Sequence, residues 1–243
     1  MPRPRRVQLP GAVYHVTNRG LGRQPIFADA ADARRFMALL DETATPLGWR
    51  VQAYCLMTDR YHFVLETPQP NLSAGMQALG GRYTQAFNRR HGRDGPLFRG
   101  RFHTLVVERE TALVPLVRYL VLAPVLAGLA PDPAAWRWSS YRATAGTAPA
   151  PGIVDLSWLG AAFGLPVPAA QEAWRADIAR SMAAPDEVRA IERRLANRSI
   201  LGSADFVRQT RRAARRQPLE RGQRPARARR RRPAGPASPD AGG

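Results

Sequence analysis

The chain has 243 residues, 37 basic and 19 acidic side chains, a formal net charge of +18 and an isoelectric point near 11.6. A positive surplus of this size indicates a polyanionic partner, usually nucleic acid. A lone Cys55 excludes an internal disulfide, and neither a run of 18 apolar residues nor an apolar segment behind the basic N-terminus is present, so no membrane span or secretory signal is predicted. The composition therefore predicts a soluble cytoplasmic protein.

All 37 basic residues are arginine. A guanidinium can bind a phosphate in bidentate fashion and stack on a base, which an ammonium cannot do. A GC-rich coding sequence would produce the same bias without any functional cause. The charge lies in two parts, because the residues from Arg208 onward contain 12 Arg against Glu220 and Asp240, a net +10, and the first 207 residues carry the remaining +8.

The first half of the chain alternates between strand and helix patterns. Strands are predicted at 12–18, 49–57, 61–66 and 102–108, and helices at 29–47, 71–90 and 111–122. Thr58, Asp59 and Arg60 are predicted to link the second and third strands as a hairpin, and Pro124 with Gly128 to close the third helix. The order β-α-β-β-α-β predicts an α+β, ferredoxin-like antiparallel sheet with helices packed on one face. The other face is left for a partner or for the last helix.

The chain is predicted to have three parts. Residues 1–150 form the ferredoxin-like domain, and residues 151–216 form an all-α C-terminal extension with short helices near 155–163, 168–183, 186–198 and 203–216. Residues 217–243 form an Arg- and Pro-rich tail with little apolar content, which predicts disorder. The run at 227–232 would bind any nucleic acid without sequence preference, although a weakly constrained extension explains it equally well.

Several segments in order resemble one protein family. They are VQLPGAVYHVTNRG at 7–20, the hairpin around His62, GRYTQ at 81–85 with GRF at 100–102, residues 119–129, and WSSY at 138–141. Together they resemble the REP-associated tyrosine transposases, which are single-tyrosine, HUH-type transposases of the IS200-like kind. The resemblance covers residues 1 to about 145.

The resemblance implies a ferredoxin-like DNA endonuclease of a mobile element, usually a homodimer, that cuts and rejoins single-stranded DNA beside imperfect hairpins of a REP element. In that family a His-x-His strand and a third polar residue hold Mg²⁺ or Mn²⁺ against the scissile phosphate, where the metal neutralises developing charge. A tyrosine then attacks and leaves a 5′-phosphotyrosine and a free 3′-OH. DNA transposition and DNA recombination are the processes implied.

The matching positions give a candidate site that departs from the family pattern. Tyr119 corresponds to the nucleophile. The His-x-His pair is here Arg60-Tyr61-His62, and the third ligand position is Ala123. His62 alone cannot hold a divalent ion that takes three protein ligands, and a neighbouring guanidinium repels the ion. Whether the chain is an enzyme therefore stays open.

Three alternatives follow from these ligand losses. His62 is a relic or a DNA contact; or His15, His103 or Asp59 rebuilds the metal site, although regular strand alternation would point Asp59 to the opposite face; or Arg60 itself takes over the metal's positive charge on the phosphate.

A second candidate site is a set of arginines interleaved with aromatic residues, which is the combination that single-strand and hairpin recognition requires. The DNA-binding candidates are Arg60, Arg82, Arg89, Arg90, Arg93, Arg99 and Arg101, with Tyr83, Phe87, Phe98 and Phe102 between them. The alternative is a solvated face above core aromatics. Arg3, Arg5 and Arg6 form a smaller basic arm or a solubilising end.

Two functions from different classes are therefore carried forward. The first is a transposase that cleaves and rejoins single-stranded or hairpin DNA through Tyr119. The second is a catalytically inactive DNA-hairpin-binding module that has lost its metal site. A general RNA binder acting through its tail, or a decayed gene product without selected function, is a weaker third possibility.

Overall fold

The computed structural model describes residues 6–195 and 200–216. The predicted tail at 217–243, with Arg3 and Arg5, lies outside these residues. The strands are β1 (Ala12–Arg19), β2 (Arg50–Met57), β3 (Arg60–Thr67), β4 (His103–Val107) and β5 (Ile200–Leu201). The helices are α1 (Ala30–Ala44), α2 (Leu72–His91), α3 (Arg109–Leu126), α4 (Tyr141–Thr144), α5 (Ser157–Phe163), α6 (Val167–Ala183), α7 (Pro185–Leu195) and α8 (Ala204–Arg216).

The strands form one sheet in the order β2-β3-β1-β4-β5. The pairs β2 with β3, β3 with β1, and β1 with β4 are antiparallel, which confirms the predicted α+β ferredoxin-like class. The hairpin differs in one detail from the prediction. Its turn contains only Thr58 and Asp59, because Arg60 already pairs with Met57 as the first residue of β3. Arg60 and His62 therefore lie two positions apart on one regular strand and share a face of the sheet.

Helices α1 and α2 cover the first face of the sheet, as predicted. Their contact is an aromatic core in which the Phe36 ring lies 4.7 Å from Tyr83 and 5.0 Å from Tyr61, centroid to centroid. Tyr83 and Phe87 are 1% and 3% exposed, so these two rings belong to the buried face of α2 and are not available to stack on DNA. For Tyr83 and Phe87, the alternative given by the sequence therefore applies: they are core aromatics below a solvated face.

The second face of the sheet, which the sequence left open, is covered within the same chain. Helix α3 and the C-terminal extension bury Val13, Val64 and Leu105 on this side. The Trp174 side chain of α6 is fully buried, and its indole N–H donates to Thr144 Oγ1 at 3.0 Å. The extension and the sheet therefore share one hydrophobic core. The division of the chain at residue 150 stays a prediction.

The extension is helical, as predicted, except for β5. Val106 and Val107 of β4 pair in parallel with Ile200 and Leu201, so the extension covers an edge of the sheet. Pairing satisfies backbone groups that an open edge strand would leave to solvent or to another chain.

Helix α3 is longer than predicted and places two candidate residues on one face. It runs on through Pro124 to Leu126, because a proline in the last turn removes only one backbone hydrogen bond, and Gly128 follows with φ of +69°. Tyr119 and Ala123 are therefore one helical turn apart. Although α3 is largely apolar, no helix in the described part of the chain is long and apolar enough to cross a bilayer.

Candidate functional site

Two histidines form a buried pair on the α3 side of the sheet. Thr17 lies opposite His62 in the β1–β3 register, so His15, two residues away on β1, shares the face of His62. His15 Nε2 lies 3.0 Å from His62 Nδ1, and the rings are parallel within 1°. Burial lowers the pKa of His15 to about 4, and burial with the positive charges of His15 and Arg60 lowers the pKa of His62 well below its usual value. The pair is therefore neutral at pH 7.

Tyr119 lies next to this pair. Its ring is perpendicular to that of His62, with centroids 5.9 Å apart, and His62 Nε2 is buried without a hydrogen-bond partner among the described residues. Tyr119 itself is only 5% exposed. The structure thus brings together the two residues that the family resemblance assigned to nucleophile and metal ligand. Burial raises the pKa of Tyr119, which keeps the phenol protonated.

The extension contributes a carboxylate to the tyrosine. Helix α7 packs against α3 through Val188, Ile191 and Leu195, and this contact places Glu192 beside the Tyr119 hydroxyl. The negative charge of Glu192 and its hydrogen bond raise the pKa of Tyr119 further. Nothing in the sequence pointed to Glu192, because its position depends on how α7 docks and not on a motif.

The positive charge of Arg60 is compensated by the carboxylate of Asp59, its neighbour in the chain. Its Nε donates to Asp59 Oδ1 at 2.8 Å and its Nη2 to Asp59 Oδ2 at 3.2 Å. The expectation that Asp59 points away is wrong, because Asp59 lies in the turn and not on a regular strand. The hydrogen bonds that Arg60 donates to Asp59, together with the negative charges of Asp59 and Glu192, raise the pKa of Arg60.

The residues present do not fit the Mg²⁺ or Mn²⁺ that the family resemblance implies. Ala123 is buried in an apolar cluster with Cys55 and Met57, so no ligand atom stands at the third position. His103 lies opposite Thr17 on the same side as His62, but it is exposed at the end of the sheet. Within residues 6–195 and 200–216, no group of three His, Cys, Asp or Glu side chains could hold a metal ion.

A large cleft opens on the other side of the sheet, at the end where β3 begins. Its volume is about 1420 Å³, and the N-terminal arm, α2, the loop at 96–102 and α8 line it. Arg6, Arg101 and Arg215 contribute to the walls, and no acidic side chain is among the described lining residues. Tyr61 lines this cleft, whereas its neighbours Arg60 and His62 face α3. The cleft and Tyr119 thus lie on opposite faces of the same end of the sheet.

Arg6 makes two contacts with Phe102 in the cleft. Its guanidinium lies 3.7 Å from the centroid of the Phe102 ring and donates to the Phe102 carbonyl at 2.5 Å. Partial burial and the positive charge of Arg101 lower the pKa of Arg6. Two like charges therefore lie near each other in a cleft whose described lining residues include no carboxylate, and an anion between them would relieve the repulsion.

The predicted DNA-binding arginines divide into two groups. Arg60, Arg82, Arg90 and Arg93 already contact side chains of the protein: Asp59, Glu42, the Asp29 and Asp32 pair, and Gln24, respectively. Arg89, Arg99 and Arg101 form no ion pair with an Asp or Glu of the described chain. That any of the seven binds DNA stays a prediction.

Comparisons with known proteins give one family. The sequence model described as IS200-like transposase matches residues 9–119. Among solved structures, a REP-associated tyrosine transposase bound to a REP hairpin is similar at 14% identity and a TM-score of 0.49, covering 65% of this chain and 91% of that chain. A transposase candidate from Deinococcus radiodurans R1 is similar at 24% identity and a TM-score of 0.34, covering 44% of this chain and 87% of that one. None of the curated proteins matches.

Proposed function

We propose, from the premise that the chain belongs to the IS200-like transposase family, that it binds hairpin or single-stranded DNA through the arginine cleft and does not perform metal-dependent cleavage. The observation that carries this proposal is the cleft that Arg6 and Arg101 line and to which the described residues contribute no Asp or Glu. The proposed function is therefore DNA recognition without the metal-dependent cleavage and rejoining that the family resemblance implies.

The cleft supplies the contacts that DNA binding needs. Arg6 and Arg101 can neutralise phosphates, and the partly buried Phe98 and Phe102 line the cleft and offer aromatic surface to an unpaired base. Gln77, Thr84 and other polar residues of α2 line the same cleft and can form hydrogen bonds to the sugar-phosphate backbone of DNA. A base can present its face to an aromatic side chain only when it is not stacked in a duplex, so these contacts favour unpaired nucleotides at a hairpin end or flank.

Three features of the Tyr119 region argue against metal-dependent cleavage. The ligand positions hold Arg60 and Ala123, the tyrosine is 5% exposed below α7, and a carboxylate stands at its hydroxyl. A phenol with a raised pKa is a poor nucleophile at neutral pH, and a scissile phosphate would meet the repulsion of Glu192. The retained tyrosine is thus part of the core of this protein.

A second candidate function is metal-independent strand transfer, and the contact of Glu192 with Tyr119 beside Arg60 favours it. The Tyr119 oxygen would attack phosphorus and pass its proton to Glu192, the bond to the DNA 3′ oxygen would break with its electron pair going to that oxygen, Glu192 would return the proton to give a free 3′-OH, and Arg60 would stabilise the phosphoryl oxygens. This reaction requires α7 to move away and Arg60 to exchange Asp59 for phosphate. The burial of Tyr119 makes it the weaker of the two candidates.

Fluorescence anisotropy of the full chain with a labelled DNA hairpin that carries a single-stranded flank tests the proposed function. We expect binding in EDTA that is unchanged by Mg²⁺ or Mn²⁺ and that weakens steeply with salt, because phosphate contacts dominate affinity. Binding that requires a divalent ion would contradict the proposal. So would binding that is lost when residues 217–243 are removed, since the tail and not the cleft would then hold the DNA.

A further inference from the structure

We propose that α8 is a second DNA-binding element, which grips the backbone of a duplex stem while the cleft holds the unpaired nucleotides next to it. This inference rests on the proposed function, because it assigns the part of the DNA that each surface contacts. It concerns residues beyond the family match at 9–119.

The arginines of α8 occupy one face of the helix. Arg208, Arg211, Arg212, Arg215 and Arg216 surround a shallow depression of about 520 Å³. At 100° per residue they fall within an arc of about 140°, and at 1.5 Å per residue they extend over about 12 Å. Thr210, on the opposite side of the helix, is 5% exposed. The positive face therefore points to solvent and is separated from the buried face.

Contacts with the core fix the direction of this face. Phe206 and Val207 pack against the core between the sheet and α1 and α2. At the start of the helix, Ser203 bonds to the Glu108 carboxylate through its backbone N–H and its hydroxyl, both at 2.7 Å, and the Phe206 N–H donates to Ser203 Oγ at 3.2 Å. The helix is thus capped and anchored, so its backbone needs little further ordering when a ligand binds.

The charge of this face is largely uncompensated. Arg208 pairs with Asp205, and the other four arginines form no ion pair with a carboxylate of the described residues. Along one DNA strand successive phosphates are spaced by about 3.4 Å of helix axis and lie farther apart through space because the strand winds, so a face of about 12 Å reaches about two to three phosphates. A duplex backbone is the anion that matches this length and charge, and it requires no base contact.

Arg215 joins the α8 face to the cleft. Its side chain lines both the depression on α8 and, with Ala214, the cleft. A nucleic acid lying on α8 therefore leads into the cleft that contains Arg6, Arg101 and the stacking residue Phe102. Duplex on the first surface and unpaired nucleotides in the second describe the junction at the base of a hairpin.

The test compares two full-length variants with the same change in charge. R208Q/R211Q/R212Q/R216Q removes the α8 face and leaves Arg215, and R34Q/R180Q/R189Q/R194Q removes four exposed arginines elsewhere. The probes are a DNA hairpin with a single-stranded flank, the flank alone, and an RNA hairpin of the same sequence. Circular dichroism and thermal unfolding establish that both variants fold.

We expect the α8 variant to lose about tenfold or more in affinity for the DNA hairpin and less than about twofold for the flank alone, with a salt dependence shallower by about 0.9 in log–log slope for each lost phosphate contact. The control variant keeps its affinity for both. Unchanged hairpin affinity, or an equal loss for hairpin and flank, overturns the inference, and so does tighter binding of the RNA hairpin. Failure of the proposed function looks different, because the wild-type chain would then bind neither DNA.

Discussion

Replacing Arg6 and Arg101 together with glutamine is expected to weaken binding of hairpin DNA by about 100-fold, since each charge-assisted contact to a phosphate contributes about 1.5 kcal/mol or more. The physical reason is their arrangement. Arg6 lies over Phe102, its partly buried charge is near that of Arg101, and the part of the chain that the structure describes places no carboxylate in the cleft. Competition anisotropy with the flanked hairpin and with the flank alone measures the loss, which should appear for both probes.

A matched control uses Arg35 and Arg82, which both contact Glu42 on the exposed side of α1 and α2. Their replacement with glutamine makes the same change in net charge, and exposed ion pairs contribute little to stability. We expect less than about threefold loss, by the general salt-dependent attraction alone. Equal losses in the two double variants would mean that net charge and not the cleft holds the DNA.

The free energy of unfolding is expected to fall by about 2 kcal/mol through His15, and to fall further through His62, when the pH is lowered from 7 to 5. Both pKa values are lower in the folded protein than in the unfolded chain, to about 4 for His15. The unfolded chain therefore binds more protons below pH 6.5. The stabilisation is complete above that pH and is lost as the pH falls toward the folded pKa.

Urea unfolding at pH 7 and pH 5 measures this difference for the wild type and for a variant with His15→Leu and His62→Leu. The variant should show a much smaller drop with pH, whatever its absolute stability. His103→Gln is the control, because His103 is exposed and should leave the drop unchanged. If the leucine variant loses stability as steeply as the wild type, other groups and not the histidine pair account for the acid sensitivity.

The order of the elements could be predicted from the sequence because each one carries a local signal. Alternating apolar residues identify β1 to β4, and the spacing of Leu72, Met76, Leu79 and Tyr83 identifies α2. A strand of two residues such as β5 has no periodic signal. Coverage of the second face by α3 and the extension is a tertiary outcome, so the sequence left that face open.

The motifs locate the candidate catalytic residues in the sequence. They do not predict which side chains contact these residues in the folded protein. Tyr119 and His62 were placed by resemblance, and the structure brings their rings to 5.9 Å. The partner of His62 depends on the register between β1 and β3, and the position of Glu192 depends on the docking of α7. Neither is encoded in a local pattern.

The contacts of the arginines on the basic surface could not be predicted from the sequence either. A cluster of arginines in sequence indicates polyanion binding, but it does not tell which guanidinium already has a partner. Arg82, Arg90 and Arg93 contact other side chains of the protein, whereas Arg6, which the sequence left as a possible solubilising end, lies in the cleft. Likewise, only the packing of α8 shows that its arginines lie together on one exposed face.

The most direct test of the central claim is a denaturing gel for a covalent adduct between the protein and DNA. The full chain and a Tyr119→Phe variant are incubated with labelled single-stranded DNA from repeats beside the gene, in Mn²⁺, Mg²⁺ or EDTA, and hairpin binding is measured on the same samples. We predict hairpin binding without an adduct in all three conditions. An adduct in EDTA that Tyr119→Phe lacks would favour metal-independent strand transfer, and a metal-dependent adduct that Tyr119→Phe lacks would contradict the account.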